Sequence, residues 1–294
     1  MRRSLFLLVA VGVALAMALS ACGSSSSSGS SDPLQTTLSY FPAQTPFVLT
    51  VATKPSARAA SQERQLEQRL PLLNFGKAAL ISRLQQVGIN YNQDLKPLSG
   101  NPVAIGDPST SIQAFRNDFL IAWVAKDAGK LNALLKKLGG LTAAGSHDGA
   151  KLYTASGAAL GVTGATILFA KSMTDITSAL DRHAHGGGVT PSQYSDAVSG
   201  LPPDAAIRIF GELAGALSTP QAAQARRVPW VAALRSYGAT LGYSNSGLAI
   251  NFRLDTGGRT LTQSQLPFAT RATPASVVSG LPIQVGIVDP SQIF

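Results

Sequence analysis

Acid–base and metal-ligating side chains are what this sequence has least of. Its 294 residues include one cysteine, three histidines and three glutamates, Glu63, Glu67 and Glu212. A single cysteine excludes an intrachain disulfide framework and a cysteine-built zinc site within one chain. Aromatic residues make up 6% and charged residues 13%, against 45% hydrophobic. The core must therefore be mostly Ala, Leu, Val and Ile. A chain of this length buries a sizeable core in one or two domains, which excludes a disordered chain or a stapled miniprotein. After Cys22 no apolar run reaches the roughly 18 residues of a spanning helix.

Catalytic motifs are missing as well. There is no Gly-x-Ser-x-Gly elbow and no Walker motif, and Gly157, Gly161 and Gly164 do not fit Gly-x-Gly-x-x-Gly. Ser146-His147-Asp148 sets three triad residue types in a row. Consecutive side chains do not reach triad geometry, so Gly145–Gly149 reads as a polar turn. His183 and His185 form a His-x-His beside Gly186–Gly188. On an extended segment they share a side and are weak metal candidates; on a helix end they diverge, and an imidazolium there suits the C-terminal dipole. Asp118 and Asp127 flank an apolar run, and Asp127 is explained as a helix cap. Trp123 and Trp230 are expected as core or rim packing. No catalytic residue, metal or cofactor is assigned.

What the chain does have is an address. Arg2 and Arg3 precede an uncharged run from Leu5 to Leu19, too short to span a bilayer but suited to a signal peptide. The run ends in Leu19-Ser20-Ala21-Cys22, which has the form of a bacterial lipobox. Small residues let a peptidase approach the backbone, and the Cys22 thiol can take a thioether-linked diacylglycerol. Residues 1–21 thus read as a lipoprotein signal peptide. Residues 22–33 read as a lipidated cysteine with a flexible Ser/Gly tether, and 34–294 as the folded part. Two acyl chains on Cys22, with a third on its amine, would anchor firmly. Arg2-Arg3-Ser4-Leu5-Phe6 also partly fits a twin-arginine signal, although the strongly apolar run favours the general secretory route.

The formal charge of +9 falls to +7 once Arg2 and Arg3 leave with the signal. The basic residues are dispersed and lack interleaved stacking aromatics, which argues against nucleic acid. The membrane partner expected is the bilayer itself, through the lipid on Cys22, with the chain exported and facing outside the cytoplasm.

The folded part reads as α+β: a mostly antiparallel sheet with helices packed on one side. Strands are expected at Phe47–Val51, Pro102–Ile105, Phe119–Val124, 151–155, 159–163 and 166–170. The continuous run Phe119–Val124 has the pattern of a strand buried on both faces. Helices are expected over 57–70 and Ala78–Val87. A third starts at Asp127 with Leu131, Leu134, Leu135 and Leu138 on one face, and a fourth at Ser172 with Met173, Ile176 and Leu180. Thr190-Pro191 and Thr219-Pro220 read as helix starts. After the turn signal Asn245-Ser246-Gly247, Leu248, Ile250, Phe252 and Leu254 alternate with polar or small residues, predicting a strand with one wet face.

Three segments echo one another. Phe41-Pro42 leads into Phe47–Val51, Leu201-Pro202 into Ala206–Phe210, and Leu281-Pro282 into Gln284–Val288. The layout predicts an internal structural repeat, with a boundary between units near 186–204. The third copy stops at Phe294, where the first would continue into a helix. Either the chain is truncated there or its final strand closes the sheet.

Four stretches carry a family resemblance: Tyr40–Phe47, Asp94–Gly100, Ala125–Leu131 and Leu201–Asp204. With them the chain resembles, over about 34–294, an exported bacterial family catalogued as domain of unknown function 3352. That resemblance implies no activity, cofactor or site residues. The function expected is therefore that of a surface lipoprotein that is not an enzyme and binds an apolar ligand or an envelope protein. The alternatives are a solute-binding lipoprotein of an importer and a cell-envelope hydrolase.

Overall fold

The computed structural model describes residues 32–262 and 265, apart from 55, 70, 87, 111–117, 156 and 244–247. Ten strands are described: β1 (Val48–Val51), β2 (Val103–Gly106), β3 (Leu120–Val124), β4 (Thr142–His147), β5 (Ala150–Ala155), β6 (Ala158–Thr163), β7 (Thr166–Ala170), β8 (Ile207–Glu212), β9 (Ser236–Tyr243) and β10 (Leu248–Asp255). The helices are α1 (Pro33–Leu38), α2 (Ala57–Arg69), α3 (Pro71–Gln86), α4 (Ala128–Lys137), α5 (Met173–His185), α6 (Pro191–Val198), α7 (Ala214–Leu217) and α8 (Pro229–Ala233). The fold is α+β, and every strand pair is antiparallel.

Local chemistry sets most helix starts. Asp127 Oδ1 accepts from the Lys130 N–H at 3.0 Å and caps α4. Ser172 Oγ accepts from the Asp175 N–H at 3.1 Å at the head of α5. Thr190 and Gln193 form a reciprocal capping box ahead of Pro191 in α6. Thr219-Pro220 starts only the 3-10 turn Pro220–Ala222, and Thr219 makes no side-chain cap bond there.

The strands form one sheet in the order β10-β9-β8-β1-β2-β3-β7-β6-β5-β4. The sequence echo has a direct structural counterpart. Matching Phe41-Pro42 with Leu201-Pro202 also matches Leu49 with Ile209, and these two residues sit opposite each other in the β1–β8 pair. Outward from that pair the order is β1-β2-β3 on one side and β8-β9-β10 on the other, each with helical segments between its first two strands. The third echo, 281–288, lies outside the described residues, as does Asn245–Gly247.

Helices cover both faces of the sheet, where the sequence reading expected one. Alternation along β3 makes the division clear. Leu120 and Ala122 join a core with Leu38 of α1, Ile176, Ala179 and Leu180 of α5, and Tyr194 and Ala197 of α6. Ile121 and Trp123 join a second core with Leu84 of α3 and Leu131, Leu134 and Leu135 of α4. On the first face, α5 lies so close to β6 that a Cβ on Gly161 would stand 2.8 Å from Ile176 Cγ2.

β4 is a strand that the polar-turn reading did not foresee. Only its end turns: Asp148 (φ 45°) and Gly149 (φ 74°) join β4 to β5 with His147 opposite Ala150. Positive φ at both central residues is the tight hairpin geometry, which Asp-Gly supplies readily. β4 is an exposed edge strand, so it carries no apolar alternation to betray it.

Candidate functional site

At the opposite edge, β10 departs from expectation. Its apolar row was expected to be the dry face, yet Leu248, Ile250, Phe252 and Leu254 are 57%, 74%, 60% and 37% exposed. The row continues inward through the register. Leu248, Ile250, Phe252 and Leu254 lie opposite Tyr243, Leu241, Ala239 and Tyr237 of β9. Leu241 and Ala239 lie opposite Ile207 and Ile209 of β8, and Ile209 opposite Leu49 of β1. This is the face that α3 and α4 cover further along, over Ile121, Trp123 and Phe169. Toward β10 the cover thins: Ile207, Ile209, Ala239 and Leu241 are half-buried, and the β10 row is open. Monomeric proteins rarely leave such a patch exposed without use for it, and a long apolar edge strand is a template for another chain or ligand.

A basic pocket lies where β9 begins and the chain turns after β10. An open concavity of about 270 Å³ is lined by Arg226, Arg235 and Arg259, with Leu217, Ser218 and Leu234 at its wall. Each arginine is held by the local backbone. The Arg226 guanidinium donates to the Leu217 carbonyl, and Arg259 Nη1 donates to the Ala232 carbonyl at 3.5 Å. The Arg235 N–H donates to the Asp255 carbonyl at 2.8 Å, and the Arg235 carbonyl accepts from the Leu213 N–H at 2.7 Å. The Arg235 N–H thus points toward β10 and its carbonyl toward β8, a bulge at the residue before β9 where Arg235 and Ser236 both face Asp255. Gly257 (φ +61°) packs on the Arg235 stem, where a Cβ would come within 2.7 Å of Cγ. Burial pushes the Glu212 carboxyl above the usual carboxylate range, and Arg235 pulls it partly back.

Other polar groups have local explanations. His183 stacks on Tyr40 with centroids 4.4 Å apart, and its Nδ1 lies 2.6 Å from Ser39 Oγ. Burial holds its pKa below the ordinary imidazole value. His185 Nδ1 instead bonds the Asp181 carbonyl at 3.1 Å. Both lie on α5, which runs to His185, so the extended reading that would let them share a metal is corrected: the helix end separates their partners. The one group among the described residues able to hold a metal is His147, Asp148 and Asp181, with one ligand atom of each within 4.8 Å of the others. His147 Nε2 lies 2.7 Å from Asp181 Oδ1, which raises the imidazole pKa and lowers that of the carboxyl. Ser146 and His147 are neighbours on β4 and point to opposite faces, as no triad would.

Two ionisable side chains, buried Asp107 and half-buried Arg182, are less well satisfied. Asp107 is fully buried; Oδ1 accepts from the Ser109 N–H and hydroxyl, both at 2.8 Å, while Oδ2 has no partner. Arg182 Nε donates to the Tyr40 carbonyl at 3.1 Å, and one of its terminal nitrogens has none. Trp123 is core, 4% exposed. Leu19, Ser20, Ala21 and Cys22 lie outside the described residues. Among the described residues no helix is long and apolar enough to cross a membrane.

The architecture defines an α+β protein whose described strands form one ten-stranded antiparallel sheet. The chain belongs to the family described as protein of unknown function, DUF3352, whose model matches residues 4–288. No curated protein matches it. It is similar to TP0453 in crystal form III, with 10% identity and a TM-score of 0.41 over 79% of this chain and 83% of that one. Crystal form I of TP0453 gives 11% identity and a TM-score of 0.39 over 80% and 82%. A likeness that distant carries no argument about function.

Proposed function

We propose that this protein is a lipid-anchored envelope protein that works by binding an amphiphilic ligand rather than by catalysis. The observation that carries the reading is the exposed row Leu248, Ile250, Phe252 and Leu254, continuous with a half-covered apolar sheet face. An acyl chain is the ligand this surface suits, because the row is long, apolar and open and three arginines gather near the end of β10, able to meet an anionic headgroup.

The N-terminal segment supports the location. Arg2 and Arg3, the run Leu5–Leu19 and Leu19-Ser20-Ala21-Cys22 combine into an export signal with an acylation site. Gly23–Ser31 is all Ser and Gly, and a flexible chain of that length spans roughly 15–18 Å. The folded body would then work close to the bilayer surface. Among the described residues one antiparallel sheet stands in place of the two βαβ lobes of a solute-binding lipoprotein.

The test has two parts. Wild type and Cys22→Ala are expressed in a bacterial host and fractionated. The expected result is an acylated wild type in the membrane and loss of the acyl mass in the variant. An identical mass in both would end the anchor reading. Native mass spectrometry of the detergent-purified wild type, followed by organic extraction, should release a lipid beyond the acyl groups on Cys22. A folded protein with no such mass, which instead retains an envelope protein, would replace ligand binding with partner binding.

A further inference from the structure

We infer that the concavity at the end of β10 is a binding site for a phosphoryl group, held by Arg226, Arg235 and Arg259. Arg226 and Arg235 stand nine residues apart in the β8–β9 connection, Arg235 just ahead of β9, and Arg259 comes from the turn after β10. Their meeting is a product of the fold rather than of a basic run in the sequence. Guanidinium groups stay charged under all ordinary conditions, so three facing one space repel each other unless something anionic joins them. Among the described residues no carboxylate lies within ion-pair distance of any of the three. Two acids flank the pocket without closing an ion pair: Asp255 Oδ2 accepts from the Gly257 N–H at 3.0 Å, and Glu212, half-buried on the neighbouring strand, feels the Arg235 charge from beyond ion-pair distance.

The geometry favours a phosphoryl group over a carboxylate. A carboxylate presents two oxygens in a plane, which one guanidinium fork can satisfy. A phosphoryl group presents three oxygens around a tetrahedron, which suits three separate guanidinium donors. The Ser218 hydroxyl donates to the Gly215 carbonyl at 2.7 Å, leaving recognition to the arginines. This inference rests on the reading of the protein as an amphiphile binder and names the headgroup chemistry. From Leu254 to Leu248 the apolar row runs about 20 Å at strand rise, enough for an extended acyl chain.

Two sources of the phosphoryl group are separable by titration calorimetry on the full chain in uncharged detergent. The probes are glycerol phosphate, dihexanoyl phosphatidic acid and dihexanoyl phosphatidylcholine. Phosphatidic acid should bind and weaken as salt rises. Its affinity should fall about ten- to hundred-fold in Arg235→Gln, the usual scale for removing a charge-assisted hydrogen bond. Arg64→Gln, on the exposed side of α2, should leave binding unchanged. Equal, arginine-dependent binding of glycerol phosphate keeps the phosphoryl site but assigns it to a soluble ester, and the amphiphile reading then fails alone. Lipid bound equally by wild type, Arg235→Gln and the triple Gln variant keeps the amphiphile reading and overturns this site. Unchanged unfolding midpoints in the variants keep the comparison valid.

Discussion

The close packing of α5 on β6 offers a quantitative test of the fold. Gly161→Ala would place a methyl 2.8 Å from Ile176 Cγ2, with Leu152 Cδ2 at 3.7 Å and Leu168 Cβ at 3.8 Å. The last two are ordinary contacts; the first is a clash. Overpacking of this kind costs about 1–3 kcal/mol. The backbone of Gly161 is not in the left-handed region, so alanine there also restricts the unfolded chain and returns about 0.4–1 kcal/mol. The net expectation is a loss of about 1–2 kcal/mol. Ile176 is fully buried, and Ile176→Ala should cost about 2–5 kcal/mol by itself. In the double variant the new methyl enters the space Ile176 vacates. The clash disappears and part of the cavity is filled, so the double should cost at least about 1 kcal/mol less than the two singles together. Urea unfolding of the four proteins, with slopes unchanged, measures this coupling. Additivity within about 0.5 kcal/mol would refute the contact and, with it, the placement of α5 on β6.

The remaining predictions concern the open edge and the titrating groups. Ile250→Asp should move unfolding stability by no more than about 0.5 kcal/mol, because the side chain is 74% exposed; a loss above about 2 kcal/mol would mean that the row is covered. Burial holds the Asp107 carboxyl above its ordinary range, with Asp118 and Asp175 pushing the same way. The folded state therefore binds the proton more tightly, and stability falls as pH rises from the ordinary carboxylate value through the folded one. Asp107→Asn should be more stable than wild type at pH 7, with the advantage vanishing in acid; a constant difference across pH would contradict this. His147 should titrate above, and His183 below, the ordinary imidazole value in proton NMR. The His147–Asp181 pair contributes below the ordinary imidazole pKa and is lost as pH rises through the folded one. Asp181→Asn should bring the His147 titration down, and an unmoved curve would exclude the pair from solution.

The legible parts of this fold are those whose causes lie within a few residues. Asp127, Ser172 and Thr190 announce their helices because a cap bonds an N–H two or three positions away. The apolar run Phe119–Val124 already carried the mark of a strand covered on both sides, and the helices on both faces follow from it. β4 gave no such sign, since an edge strand with no buried face has no pattern to show. The echo between Phe41-Pro42 and Leu201-Pro202 marked a repeat, but not that the two copies would pair at Leu49 and Ile209.

The candidate site was out of reach of local reasoning for the same cause. The alternation at 248–254 announces an apolar row, and by itself that pattern means a dry face. Whether anything covers the row depends on where α3 and α4 come to rest, which pairing across the whole sheet decides. Arg226, Arg235 and Arg259 are unremarkable in the chain and converge only when β9 and β10 align. Likewise His147 and Asp181 meet across 34 residues because a hairpin and a helix share one side of the sheet. The sequence by itself determined the caps, the turns, the alternation and the N-terminal address, because those interactions act between near neighbours. Only the tertiary structure decided which faces are covered and which charges meet, because that depends on strand order and register between segments far apart in the chain.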